Sequence, residues 1–155
     1  MLRKAFIGVV LLALGACART EAVRTSANTM FVQTAAAPAC GSVGAMRVAQ
    51  AMAAVETLRA GFDRYIITGG QAQNNVSVTQ MPGTFRTTGT YGRGLYSANT
   101  TYQPGPTIVA GTHDQGFTIV MFKDSDSGAQ QAISARDTLG PDWRDKVKDG
   151  VRTCL

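Results

Sequence analysis

The stretch from Ser42 to Thr68 constrains the fold more than any other part of the chain. It holds an alanine-rich segment with helical periodicity, a glycine stop and a short apolar strand. Val48, Met52, Val55, Leu58 and Phe62 recur at steps of four, three, three and four, which places them on one helical face. Arg47, Gln50, Ala54 and Thr57 fall on the opposite side. Ser42 is the expected N-cap, Gly61 fits the left-handed position that ends a helix, and Arg64 to Thr68 reads as a strand. A one-faced helix needs a second layer to bury that face.

The rest of the chain supplies the layer. Thr29 to Thr34 has the composition of a first strand, and the alanines before Pro38, followed by Cys40 and Gly41, make the turn into the helix. Gly69-Gly70 marks either a tight hairpin or a bulge in one long strand running on through Asn75 to Thr79, the second being preferred. Val76 and Val78 alternate with Ser77 and Thr79, as in an antiparallel sheet with one wet face. Thr107 to Ala110 and Gly116 to Lys123 also read as strands. Asp126 or Ser127 is placed to cap a second helix, Ala129 to Leu139, and a last helix carries Trp143, Val147, Val151 and Cys154 along one side. The expected fold class is α+β: a small, mostly antiparallel sheet with a long alanine-rich helix and two C-terminal helices packed on it. Between Met81 and Pro106 the composition turns to Gly, Thr, Tyr, Pro and Asn, which predicts a long loop or disordered insertion at 81–106.

Location is written at the N-terminus. Arg3 and Lys4 precede an apolar run from Ala5 to Leu14, and Gly15-Ala16 supplies small residues before Cys17, the pattern of a secretory signal over residues 1–16. That run falls short of the roughly 20 residues that span a bilayer. Leu14-Gly15-Ala16-Cys17 resembles the bacterial lipobox, which implies cleavage before Cys17 and acylation of its sulfur; an ordinary signal peptide cut after Ala16 is the alternative. Under the lipobox reading the mature chain holds 139 of the 155 residues. Ala18, standing where aspartate retains such lipoproteins in the inner membrane, implies an outer-membrane, periplasm-facing destination. Residues 17–28, polar and aperiodic, read as a lipidated flexible tether ahead of a single domain at 29–155.

Cys40 and Cys154 form an even pair in an oxidising compartment, so a disulfide is expected, with two free buried thiols as the alternative. One histidine and two unclustered cysteines exclude a tetrahedral zinc site, and no metal or other cofactor is expected. Removal of Arg3 and Lys4 from 15 basic residues leaves 13 against 10 acidic, a net charge of +3 that is too small to argue for nucleic acid.

Catalytic patterns are weak. His113-Asp114 is the one His-Asp pair, no Gly-x-Ser-x-Gly elbow accompanies it, and Asp124-x-Asp126-x-Gly128 lacks the third acid and closing glutamate of a calcium loop. The expectation is a protein without enzymatic activity. More informative is the absence of any acid from Tyr65 to His113, where Phe85, Arg86, Tyr91, Arg93, Tyr96 and Tyr102 are interleaved. Arginines and tyrosines of this kind can stack on sugars or on a protein partner, which makes these six the candidate binding residues; a solvated insertion that binds nothing is the competing and commoner reading of such a segment.

Ala53 to Ile67, with its Gly61-Phe62-Asp63-Arg64 turn, and Ser134 to Leu139 resemble a group of small proteobacterial envelope lipoproteins. The resemblance implies an α+β envelope protein and carries no catalytic residues. The leading expectation is a lipid-anchored protein with a structural or partner-binding role in the envelope, its partner an envelope protein or glycan. Second comes an accessory lipoprotein of a transport or secretion assembly, and an envelope hydrolase ranks last.

Overall fold

The computed structural model describes residues 18–154; residues 1–16, expected to be a secretory signal, and Cys17 lie outside the described residues. Its centre is an α-helix, α1 (Gly41–Arg59), lying across one face of a five-stranded antiparallel sheet. The sheet is built from β1 (Ala18–Arg24), β2 (Thr29–Ala36), β3 (Arg64–Asn74), β8 (His113–Phe122) and the two-residue β9 (Ile133–Ser134), in the order β1-β2-β8-β3-β9. The chain between β3 and β8 forms four more strands: β4 (Ser77–Gln80), β5 (Thr84–Gly92), β6 (Leu95–Gln103) and β7 (Thr107–Ala110). The α+β class stands.

Period-two alternation makes the core. Met30, Val32, Thr34 and Ala36 of β2 point to the helix together with Phe117, Ile119 and Met121 of β8 and Tyr65 of β3. From α1 they meet Ala45, Val48, Ala49, Met52, Ala53 and Val55. Ala54 and Thr57, expected on the solvent side, are fully buried as well. They are covered because α1 carries α2 (Ala135–Leu139) and α3 (Trp143–Asp149) on its other flank, and the Thr57 hydroxyl is satisfied by the Ala53 carbonyl at 2.8 Å. Small side chains over most of its circumference let α1 sit between two layers.

Helix α1 ends as expected. Gly61 has φ +83°, the Phe62 amide donates to the Thr57 carbonyl and the Gly61 amide to that of Leu58, which closes a Schellman turn. Ser42 is not the N-cap, because a 3-10 turn at Pro38–Cys40 leads into the helix two residues earlier, with Cys40 at the cap position. The segments carrying the lipoprotein resemblance meet here: Asp63 accepts from the Arg136 guanidinium at 3.2 Å, and the Ala135 amide donates to the Asp63 carbonyl at 3.0 Å.

Three expectations change. Residues 18–24 are a strand rather than a flexible tether: β1 pairs with β2 along its whole length, and the Ala18 amide donates to the Arg152 carbonyl at 2.8 Å. The expected helix 129–139 is broken into a 3-10 turn, β9 and α2, because Ile133 and Ser134 pair with Tyr65 and Arg64; Ser134, not Asp126 or Ser127, is the helix cap. The last helix stops at Gly150, so Val151 and Cys154 reach the core from the extended chain beyond it. Arg59 holds this end by donating to the Val147 and Lys148 carbonyls at 2.8 and 3.3 Å, a cation on the C-terminus of α3.

Cys40 and Cys154 lie at disulfide-bonding distance, with Cα atoms 5.5 Å apart. Gly44 makes room for them, since a Cβ there would press on both cysteine Cβ atoms at 3.2–3.3 Å.

Tyr65 is the largest side chain fully buried in this core, with its hydroxyl 3.2 Å from that of Thr138. Burial raises the phenol above its ordinary value of 10.0, with hydrogen bonds from Thr138 and Gln50 pulling it partly back. A raised folded value favours the neutral form in the native state. Stability is therefore unaffected by this group below about pH 10 and falls as pH climbs above it, where the unfolded chain ionises first. Urea midpoints measured between pH 8 and 11 should show that decline in the native protein, and Tyr65→Phe should flatten it at a pH-independent cost of about 1 kcal/mol for the lost hydrogen bond.

Candidate functional site

The segment expected as a loop is a two-stranded antiparallel arm. β4 pairs with β7 and β5 with β6, and the register that starts at Gly69 opposite Thr118 holds without a slip to Gly92 opposite Leu95. Two joints interrupt it. At the first, the Asn75 amide donates to the Thr112 carbonyl; at the second, the Met81 amide donates to the Pro106 carbonyl, and Gly105 lacks a Cβ that would collide with the carbonyls of Met81 and Pro82. The arm turns at Arg93-Gly94, with φ +52° and +78°, the backbone of a type I′ hairpin. Arg93 is the one non-glycine with positive φ among the described residues, a conformation that costs about 1 kcal/mol for such a side chain.

Directly opposed residues share a face, so the register sorts the arm's side chains. One face carries Phe85 opposite Tyr102, Thr87 opposite Thr100, Gly89 opposite Ala98, and Tyr91 opposite Tyr96. The Phe85 and Tyr102 rings lie 5.0 Å apart and tilted by 48°, and the Thr87 and Thr100 hydroxyls satisfy each other at 2.9 Å. Each tyrosine of β6 leans over the glycine diagonal to it. A Cβ at Gly83 would run into the Tyr102 phenol, and one at Gly89 into that of Tyr96. The same unit, glycine then aromatic with a tyrosine across, thus occurs twice at a spacing of six residues, or about 20 Å of strand. The other face carries Arg86 opposite Thr101, Thr88 opposite Asn99 and Thr90 opposite Ser97.

The six candidate binding residues are accordingly sorted, not gathered. Phe85 with Tyr102 and Tyr91 with Tyr96 make two aromatic pairs on one face, Arg86 lies on the other, and Arg93 sits at the tip. Exposure is high for a ring, 73% for Phe85 and 78% for Tyr91. Leu95 at 76% and, nearer the body, Val78, Met81, Ile108 and Val109 are exposed too and were not among the expected site residues. Their signal was the alternation that glycines and threonines dilute.

No family model, curated protein or solved structure matches the chain.

His113 and Asp114 stand at the foot of the arm, where His113 pairs with Ala36 on one side and Asn74 on the other. They line a small cavity of about 170 Å³ with Ser42. Asp114 is engaged by Asn75, whose Nδ2 donates at 2.7 Å, while His113 Nδ1 and Asp114 Oδ1 are buried without a hydrogen-bond partner. No hydrogen bond joins Ser42 to His113, or His113 to Asp114, so a nucleophile relay is not assembled among these three. The acidic turn is committed to structure: Asp124 pairs with Arg64 at 2.6 Å, Asp126 accepts the Lys123 amide at 2.8 Å, and Gly128 takes φ +97°. Among the described residues no group of three or more His, Cys, Asp or Glu is placed to hold a metal ion.

The arm buries almost nothing on the body. Replacing 81–106 with Asn-Gly joins Gln80 to Thr107, which already face each other, by a two-residue turn. That variant should keep the native unfolding free energy, measured by urea titration, to within about 0.5 kcal/mol. A loss of several times that would show that the arm supports the core.

Proposed function

We propose that this chain is an outer-membrane-anchored, periplasm-facing lipoprotein that works without catalysis, by displaying the β5–β6 arm to a partner. The observation that carries the reading is the arm itself, a two-stranded ribbon with two exposed aromatic pairs and no acid, whose side chains are exposed rather than packed into the core. Solvent-exposed aromatics repeated at fixed spacing are costly to leave uncovered, and a binding surface accounts for them. Ala18, next to the acylated Cys17 of this reading, is pinned to Arg152, so the body is held close against the lipid rather than floating on a tether.

Three measurements test this. Cys17→Ser should leave a protein without acyl mass in the soluble periplasmic fraction; persistent membrane attachment would contradict the anchor. Chemical crosslinking in membranes should trap a stoichiometric complex that disappears when Asn-Gly replaces 81–106, and an unchanged complex would remove the arm from the function. Peptide mapping without reductant should recover Cys40 joined to Cys154, a bridge closing a separation of 114 residues and worth about 4 to 5 kcal/mol by loop-closure entropy. Two alkylatable thiols in native protein would refute it.

A further inference from the structure

Away from the arm, the start of β1, the middle of α1 and the chain that follows α3 enclose a cleft of about 810 Å³. That volume lies in the range of about 300–1,000 Å³ over which small-molecule sites occur. Its floor is apolar, with Ala18 and Met52 buried and Val151 half-buried. Its exposed margin is cationic. Arg19 comes from β1, Lys148 from the last turn of α3 and Arg152 from the tail, and the hydrogen bond from the Ala18 amide to the Arg152 carbonyl at 2.8 Å holds the first and last of these segments together.

These three cations are unspent. The ion pairs among the described residues join Arg59 to Glu56, Arg64 to Asp124 and Arg136 to Asp63, and none involves Arg19, Lys148 or Arg152. Arg59 also lines the cleft, but its guanidinium is committed to Glu56 and to the Val147 and Lys148 carbonyls. Asp149 is the one acid in the lining. Three unpaired cations against one carboxylate, over an apolar floor, are the complement of an anion that carries hydrocarbon. A bare phosphate is too small for the space, given about 30 Å³ for a water molecule, and would leave Met52 and Val151 uncovered.

The place of the cleft selects the source of such an anion. Ala18 is part of its wall, and Cys17 stands one Cα step of about 3.8 Å ahead of it. Acyl chains on Cys17 enter the bilayer beside the cleft, where the phosphates of neighbouring lipids form the surface and attract Lys and Arg. We infer that this cleft seats the headgroup of an anionic phospholipid, with Arg19, Lys148 and Arg152 around the phosphate and Met52 and Val151 against the glycerol and the first methylenes. The inference rests on the proposed function in taking Cys17 as the anchor that brings the bilayer to Ala18. An acylated cysteine alone leaves the body free to pivot about one point, and a headgroup held on its flank removes that freedom.

Native mass spectrometry of the full chain, extracted from membranes in neutral detergent, should show one phosphatidylglycerol retained in preference to phosphatidylcholine. The combined variant Arg19→Gln, Lys148→Gln and Arg152→Gln should lose it, whereas Arg24→Gln, Arg47→Gln and Lys123→Gln together, which remove the same charge outside the cleft, should keep it. Equal loss in both variants would overturn the inference, because net charge and not the cleft would then attract the lipid. Calorimetry on the Cys17→Ser chain separates the source of the phosphate. Monomeric dihexanoyl phosphatidylglycerol should bind, and each cleft substitution should weaken it about fivefold, the equivalent of about 1 kcal/mol per cation. Inorganic phosphate binding as tightly would overturn the headgroup assignment. Acyl mass on Cys17 is read in the same spectra: retained phosphatidylglycerol without it would remove the anchor and leave the seat standing, and acyl mass without any retained lipid would overturn the seat and leave the anchor.

Discussion

The ladder between β3 and β8 is the interaction on which both halves of the molecule depend. Within the sheet it places Tyr65, Ile119 and Met121 under α1, and the same two strands then leave the body and become the arm. Core and arm belong to one hairpin whose register steps once, between Ile67 and Gly69, and on either side of that step the pairing with β8 fixes which side chains share a face. Few other contacts carry that much. The β1–β2 pair could be lost with the arm intact, and α2 and α3 cover the outer side of α1 without touching the ladder's phase.

The second constraint is the smallness of α1. A helix lined by Ala45, Ala49, Ala53 and Ala54 approaches the sheet closely and leaves its other flank free for α2 and α3. What the alanines give up in buried area the neighbours return through Tyr65, Met52, Met121 and Leu139, all fully or almost fully buried. The paired cysteines at the start of α1 hold the C-terminal segment to it, and Arg59 does the same at the far end through two backbone carbonyls of the α3 terminus. The helix is thus fastened to the last residues of the chain at both of its ends.

Local rules explain what was legible beforehand. The face of α1, the Gly61 stop, the strand at Arg64 and the preference for a bulge near Gly69-Gly70 follow from periodicity and from glycine, and the pairing of Cys40 with Cys154 from compartment and parity. Nonlocal pairing explains what was not. Ala18–Arg24 has no apolar alternation of its own and becomes a strand because β2 offers a free edge, with the Thr20 and Thr34 hydroxyls 2.8 Å apart across it. Ile133 and Ser134 leave helical geometry because Arg64 and Tyr65 need a partner on their open side. In the candidate site the residue types were visible but their sorting was not, since only Gly89, Ala98, Thr87 and Thr100 stand between the aromatics on their face. Only the superposition of β5 on β6 reveals that Phe85 meets Tyr102 and Tyr91 meets Tyr96.

Thr68 is the extra residue of β3, sitting where the register shifts between Ile67 and Gly69. Before it, odd-numbered residues of the outgoing strand look toward the helix; after it, Gly70 stands opposite buried Phe117, and even-numbered residues take that side. The bulge is therefore a phase switch. It lets the outgoing chain obey two alternation codes, the first written for the core and the second for the ladder that continues, across two joints, into the arm.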